Sequence, residues 1–413
     1  MTGDISLACS LNRGYIPTDR GQKLFLKIEL TPTTAIAEKS LPVSVCLLID
    51  RSGSMAGEKL ENAKEGAIKL VNELEDKDYA CAVTFESKVD VVVPGTHVTD
   101  KGMFQNKIEK IGLGGSTEMY KGLETAFNEM AKPLRPHHGE EEAVRRVILL
   151  SDGQPTDNKN EPDYRKLARD MREIGISITA MGIGADYNED LLSAIAEDSG
   201  GTWHHITSPS KIPQIFTKEL SNMKTVVFSR PELIIKLSQG VELSDIHKSK
   251  PDVHRISNIK RTDNEYRMPI GDIKAGESQI IVARIGVPPR SEGECRVAMV
   301  TVVSGYFNKT ENVLVHYTSN ESLWSAETDP YSRTLFAVTE TQIKARDGLS
   351  GDKTALKEAA TQLKTLLKDP AATQIKDVAE RTVVLEDVLS KTTKFMSEEE
   401  KKKVKSDLTK VRR

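Results

Sequence analysis

A run from Val43 to Ile49 ends at a carboxylate, Asp50, and hydroxyls follow at every second position, Ser52 and Ser54. Short unbroken runs rich in Val, Leu and Ile read as strands buried on both faces, which requires a parallel sheet covered by helices on either side. Whatever leaves the end of such a strand is held rigidly and points out of the sheet. A polar, helix-like segment opens just after, near Gly57. Oxygen donors on such a loop suit a hard cation such as Mg2+. Open parallel sheets also bind their ligands at this edge, where the strand order reverses. Only one of the three side chains is charged, so a metal there would be under-neutralised and would seek an outside carboxylate. The neighbouring helix N-terminus adds partial positive charge. Taken alone, Asp-x-Ser-x-Ser also describes an ordinary turn with a helix cap.

The surrounding segment supports the parallel sheet. Strand signals fall at 43–49, 79–85, 88–93, 145–151, 176–183 and 202–206. Helix signals fall near 58–76, 101–110, 118–132, 161–174, 188–198 and 210–223. Leu60, Ala63, Ala67, Leu70 and Leu74 keep a helical period. The turn Glu86-Ser87-Lys88 makes the second and third strands a hairpin, so 88–93 is expected as an antiparallel edge. Alternating strands and helices predict a doubly wound sheet. Strands 43–49 and 145–151 should flank its switch point and bring Asp50 and Asp152 together.

Two more pieces bear on the loop at Asp50. Gly114-Gly115-Ser116-Thr117 precedes a helix-like stretch, and Val147 to Ser151 is another buried run that stops at Asp152-Gly153. Together these segments resemble the metal-ion-dependent adhesion site of the von Willebrand factor A (vWA) family, over roughly residues 41–225. The matching positions are Asp50, Ser52, Ser54, Thr117 and Asp152. The resemblance implies hydroxyl ligands from Ser52, Ser54 and Thr117, with Asp50 and Asp152 acting directly or through water. It implies Mg2+ as the first choice of ion, with Mn2+ and Ca2+ as alternatives, and one coordination position left for a partner's carboxylate. Integrin β chains extend the motif with two acids where this chain has Gly57 and Glu58, so a neighbouring regulatory metal site of that type is not expected.

The flanking segments differ in character. In residues 4–40, Leu24, Leu26, Ile28 and Leu30 alternate with Phe25, Lys27 and Glu29, the mark of a half-buried antiparallel strand. In residues 225–320, short Val- and Ile-rich runs are punctuated by Gly240, Gly271, Gly276 and Gly293, as in a β-sandwich. From 321 to 413, Leu356, Ala360, Leu363 and Leu367 recur at helical spacing, as do Ile375, Val378, Leu385 and Val388. The expected architecture is multidomain α/β + β + α. A Rossmann-like doubly wound vWA domain (41–224) is inserted in a discontinuous β-sandwich (1–40 plus 225–320), followed by a C-terminal helical bundle (321–413). That arrangement is similar to the hybrid domain of integrin β chains and to vesicle-coat subunits, in architecture only.

Composition removes several function classes. The formal net charge of −3 and a 5% aromatic content supply neither a basic footprint nor stacking platforms, so nucleic acid is not expected as a partner. Cys9, Cys46, Cys81 and Cys295 are widely spaced and form no zinc pattern. Cys46 and Cys81 sit in apolar runs, which fits buried thiols in a reducing compartment. No run reaches the ~18 apolar residues of a membrane span, and no signal peptide is read at the N-terminus, so a cytoplasmic protein without membrane contact is expected. Oligomeric state is open.

Other polar features have plainer readings. Asp157 suits a cap or a loop contact better than a metal ligand. Gly112 to Thr117 lacks the lysine of a phosphate-binding loop. His137-His138 and His204-His205 read as solvent-facing and packing residues, and the basic tail through Arg412-Arg413 as a solvated helix. The functional expectation is a non-enzymatic, metal-dependent adaptor or scaffold that takes an Asp or Glu from a protein partner. One alternative is a Mg2+-dependent phosphohydrolase using Asp50, although Ser52 stands where such enzymes carry a second carboxylate as general acid. The other is a structural protein in which the metal only staples loops.

Overall fold

The computed structural model describes residues 5–33, 41–132, 143–256, 259–304, 307–391 and 397–409. The chain divides into two compact units. One holds residues 37–229, and the other holds residues up to 36 together with those from 230 onwards.

Among the described residues the first unit contains a sheet of six strands. In spatial order these are Val89–His97, Tyr79–Phe85, Val43–Asp50, Val144–Ser151, Ile176–Ile183 and Trp203–Ile206. All neighbours run parallel except the antiparallel edge Val89–His97. Val43–Asp50 is buried along its whole length because helices cover both faces of the sheet. Its side chains alternate between two cores. Val43, Val45, Leu47 and Ile49 pack with Leu60, Ala67, Phe104 and Phe216. Cys46 and Leu48 pack with Met119, Leu123, Tyr164 and Leu192 on the other face. The chain leaves Val43–Asp50 for Tyr79–Phe85 on one side and later for Val144–Ser151 on the other, which makes its carboxyl end the switch point.

Helix ends in this unit follow the sequence. Asn160 and Asp163 form a reciprocal capping box at the start of Glu161–Glu173. Asn188 caps Glu189–Ser199, which stops at Gly200 in the left-handed region, φ 76°. The remaining helices are Glu58–Glu73, Lys101–Glu109, Met119–Ala131 and Ile212–Lys224.

The second unit carries two larger sheets. A five-stranded one runs Ile5–Leu11, Gln22–Pro32, Gln279–Val287, Glu242–Lys250 and His254–Arg255. A six-stranded one runs Lys260–Thr262, Glu265–Pro269, Glu232–Leu237, Gly293–Ser304, Phe307–Thr318 and Tyr15–Pro17. Leu24, Leu26, Ile28 and Leu30 are fully buried, as their alternation predicts. Glu242–Lys250 and Tyr15–Pro17 form strands without a Val- and Ile-rich run.

The long helix Pro330–Leu349 lies on the five-stranded sheet. Its Leu335, Phe336 and Val338 share one core with Ile280 and Val282 of the sheet. Leu363, Val378, Leu385 and Leu408 from later helices join the same core. The described residues from 321 onwards fall in the same compact unit as these sheets. Arg381 is fully buried there and donates to Gln342 Oε1 at 2.7 Å, Ser249 Oγ at 2.9 Å and Thr339 Oγ1 at 2.9 Å.

Candidate metal centre

The five residues singled out in the sequence meet at the carboxyl edge of the six-stranded sheet. Asp50 ends the central strand with no exposure. Its Oδ1 accepts the Ser52 amide at 2.8 Å and its Oδ2 accepts the Ser151 hydroxyl at 2.6 Å. Burial pushes the Asp50 carboxyl up, while the bonds from Ser151 and Ser52 pull it down. A 3-10 turn over Gly53–Met55 then reverses the chain, and the fully buried Met55 anchors it in the core. The Ser52 and Ser54 hydroxyls stand 3.1 Å apart, and Ser54 Oγ donates to Asp152 Oδ1 at 2.7 Å.

Thr117 comes from a third loop. Its amide donates to Thr156 Oγ1 at 2.9 Å, and the Thr156 amide returns a bond to the Thr117 carbonyl at 3.0 Å. A Cβ placed on Gly153 would lie 3.7 Å from Ser54 Oγ and 3.8 Å from Thr117 Oγ1, so both hydroxyls face one point beside Asp152.

Backbone bonds join the loops. Gly53 N donates to Gly115 O at 3.1 Å, and Gly114 N to Arg51 O at 2.7 Å. A side chain on Gly114 would run into Glu86, and one on Gly115 into Ser87. The glycine pair thus serves close loop contact. Glu86 Oε2 accepts the Gly115 amide at 2.9 Å, and Arg51 bridges Glu86 and Asp90 at 3.2 and 2.7 Å. Hydrogen bonds from Ser87 and the Gly115 amide hold the Glu86 carboxyl down at about 2.

Three hydroxyls and two carboxylates, with no thiolate or imidazole, form a donor set suited to a hard divalent cation. Asp50, Ser52, Ser54, Thr117 and Asp152 fit such an ion, which would act as a Lewis acid toward an incoming oxygen ligand. Ser52, Thr117 and Asp152 are buried, whereas Ser54, Gly53 and Ser116 are exposed, so the cluster is reachable from one side. Asp157 is occupied elsewhere. It accepts the Tyr120 amide at 3.0 Å, the Tyr164 hydroxyl at 2.6 Å and the Lys159 amide at 3.2 Å, which ties loop to helix.

Two residues of the cluster escaped the sequence reading. Ser151 directly precedes Asp152, and the strand register places it level with Asp50. Lys59 bonds Asp152 Oδ2 at 2.5 Å from the first turn of the following helix. His204 and His205 do not join the site. His204 Nε2 lies 3.2 Å from Glu219 Oε1, and His205 Nδ1 lies 2.9 Å from the Tyr187 hydroxyl. His137-His138 and Arg412-Arg413 fall outside the described residues.

An uncharacterised Synechocystis protein, sll0103, is 24% identical over 380 residues, covering 88% of this chain and 87% of that one. Human inter-alpha-trypsin inhibitor heavy chain H4 is 26% identical over 238 residues, which cover 52% of this chain and only 25% of H4. Among solved structures, the von Willebrand factor type A protein from Catenulispora acidiphila aligns over 100% of this chain and 98% of its own, with a TM-score of 0.80 at 17% identity. That likeness shows a common fold. The family model of the von Willebrand factor type A domain matches residues 44–218, and that part of the chain is a vWA domain.

Proposed function

We propose that the chain is a metal-dependent protein-binding module, an adaptor or scaffold. It takes an Asp or Glu of a partner protein through a divalent cation held by Asp50, Ser52, Ser54, Thr117 and Asp152. One observation carries the reading: the Ser52 and Ser54 hydroxyls stand 3.1 Å apart, Ser54 bonds Asp152, and the cluster opens to the surface at Ser54. Two carboxylates leave a divalent ion short of full coordination, and a partner's carboxylate completes it. Mg2+ suits the hydroxyl-rich set, with Mn2+ and Ca2+ as alternatives.

The reading is one of binding and not of catalysis. Ser52 has no acid to offer where a phosphohydrolase places its proton donor. Asp50 already accepts two hydrogen bonds, which does not favour it as a nucleophile. The same reading takes residues 41–224 as an insert in a β-sandwich, supported by the pairing of Gln22–Pro32 with Gln279–Val287. It places the protein in the cytoplasm, supported by four free thiols. Among the described residues no helix is long and apolar enough to cross a membrane.

The test is a pull-down from native lysate in Mg2+ with wild-type and Thr117→Ala baits, read by mass spectrometry. Partners held by the wild type and lost by Thr117→Ala support the reading. Identical partners on both baits sink it and move the binding surface to the second unit.

A further inference from the structure

The candidate metal centre contains a cation of its own. Lys59 is the second residue of helix Glu58–Glu73. Its Nζ donates to Asp152 Oδ2 at 2.5 Å and to the Ser54 carbonyl at 3.2 Å. The Asp152 side chain is wholly buried and that of Lys59 is 31% exposed. The other Asp152 oxygen accepts the Ser54 hydroxyl at 2.7 Å. Both oxygens of this carboxylate therefore have donors, and its charge is matched from within the chain. Asp50 differs, for its oxygens accept from two neutral groups, the Ser52 amide and the Ser151 hydroxyl.

We infer that Lys59 is a built-in competitor for the divalent cation, holding the charge of Asp152 so that the metal is kept weakly until an outside carboxylate joins it. This rests on the reading of the five residues as a metal centre. The reasoning is electrostatic. A metal bound by Ser54 and Asp152 shares both groups with the ammonium, and two cations at one buried carboxylate repel each other in surroundings that screen poorly. With Lys59 in place, the protein offers the ion one carboxylate free of a cationic partner, Asp50, and neutral hydroxyls. An acidic partner group supplies the missing negative charge. Metal retention and partner binding thereby become linked, each strengthening the other by the same factor.

The experiment titrates the full chain with Mn2+ alone and follows free Mn2+ by electron paramagnetic resonance. The proteins are wild type, Lys59→Met, which keeps an unbranched stem, and Lys59→Arg, which keeps the charge. Removing the competing charge should tighten Mn2+ binding by ~10-fold or more in Lys59→Met, while Lys59→Arg stays near the wild type. Equal or weaker Mn2+ binding by Lys59→Met overturns the competitor role, because a merely structural ion pair would weaken the site when broken. Asp152→Asn and Ser54→Ala separate the two failures. Loss of Mn2+ in these variants together with an unchanged Lys59→Met leaves the metal centre standing and removes only the role of Lys59. No Mn2+ uptake by either the wild type or Lys59→Met, or uptake by Asp152→Asn and Ser54→Ala equal to that of the wild type, overturns both. Circular dichroism checks each fold, and Lys59→Gln replaces Lys59→Met in the same comparison if the latter is unfolded.

Discussion

His247 gives the second unit a measurable dependence on pH. It lies in strand Glu242–Lys250 with 5% exposure, and its ring stacks 5.3 Å from that of Phe336. Among the described residues neither ring nitrogen has a hydrogen-bond partner. Burial pushes its pKa down to about 4, from an ordinary 6.5. Arg255, Arg284 and Lys344 push the same way, and Asp245 opposes them. The ring is therefore neutral in the folded chain at pH 5, where the unfolded chain would carry it charged. A depressed histidine contributes stability that is complete above pH 6.5 and is lost as the pH falls toward 4. With 6.5 and about 4 as the two values, the loss between pH 7.5 and pH 5.0 is ~2 kcal/mol. His247→Phe keeps an aromatic ring against Phe336 and removes the titration. Urea unfolding of wild type and variant at pH 7.5 and pH 5.0 isolates the residue, because every other titrating group is common to both. The variant should lose ~2 kcal/mol less than the wild type over this interval. Equal losses would refute the reasoning.

Other perturbations test separate links. Ser151→Ala removes a hydroxyl bond to the buried Asp50 carboxylate and should lower unfolding stability by ~1.5–3 kcal/mol, measured by urea titration. Phe216→Ala empties the contact between helix Ile212–Lys224 and the central sheet, and a loss of ~3–5 kcal/mol is expected by the same method. Gly57→Ala forces a side chain onto a residue with φ 75° and ψ −133°, a conformation nearly confined to glycine, and should cost ~1–3 kcal/mol through backbone strain alone, since no atom lies within 4 Å of its Cβ. Chelation with EDTA should release an acidic partner captured in Mg2+ and leave the melting temperature within a few degrees, whereas a large drop would favour a stapling metal.

Much of the vWA unit was legible because its strands are covered on both faces and write themselves as unbroken apolar runs. Val43–Asp50 and Val144–Ser151 fall within a residue of where composition places them. Asp50, Ser52, Ser54, Thr117 and Asp152 were legible as a set only through the resemblance to the vWA family, since Asp-x-Ser-x-Ser by itself also describes an ordinary turn. Glu242–Lys250 was not legible. It reads Glu-Leu-Ser-Asp-Ile-His-Lys-Ser-Lys and still buries His247, Lys248 and Ser249. Distant partners permit this: Lys248 Nζ donates to Ile270 O at 2.7 Å, and Ser249 Oγ lies 2.7 Å from Thr339 Oγ1. The strand Tyr15–Pro17 has three residues and joins the sheet beside His316–Thr318, which no local pattern announces. Lys59 belongs to the same class. Its helix was predicted, but its pairing with Asp152 spans 93 positions and exists only once the sheet has formed.

The pairing of Gln22–Pro32 with Gln279–Val287 bears on the order of events at the ribosome. Leu30 lies opposite Gln279, and the strand carrying Leu24, Leu26, Ile28 and Leu30 is made long before the strand that covers its edge. During synthesis the vWA unit is complete as one continuous stretch while this early strand, whose other neighbour Ile5–Leu11 is already made, still waits with one edge unpaired and four leucine and isoleucine side chains uncovered. Such a strand is an aggregation hazard for as long as it waits. Lys23, Lys27 and Glu29 interrupt its apolar residues at the intervening positions. Those charges act as gatekeepers during translation, and in the finished protein they share the face of Phe25, with Lys27 Nζ 5.0 Å from the centre of the Tyr331 ring.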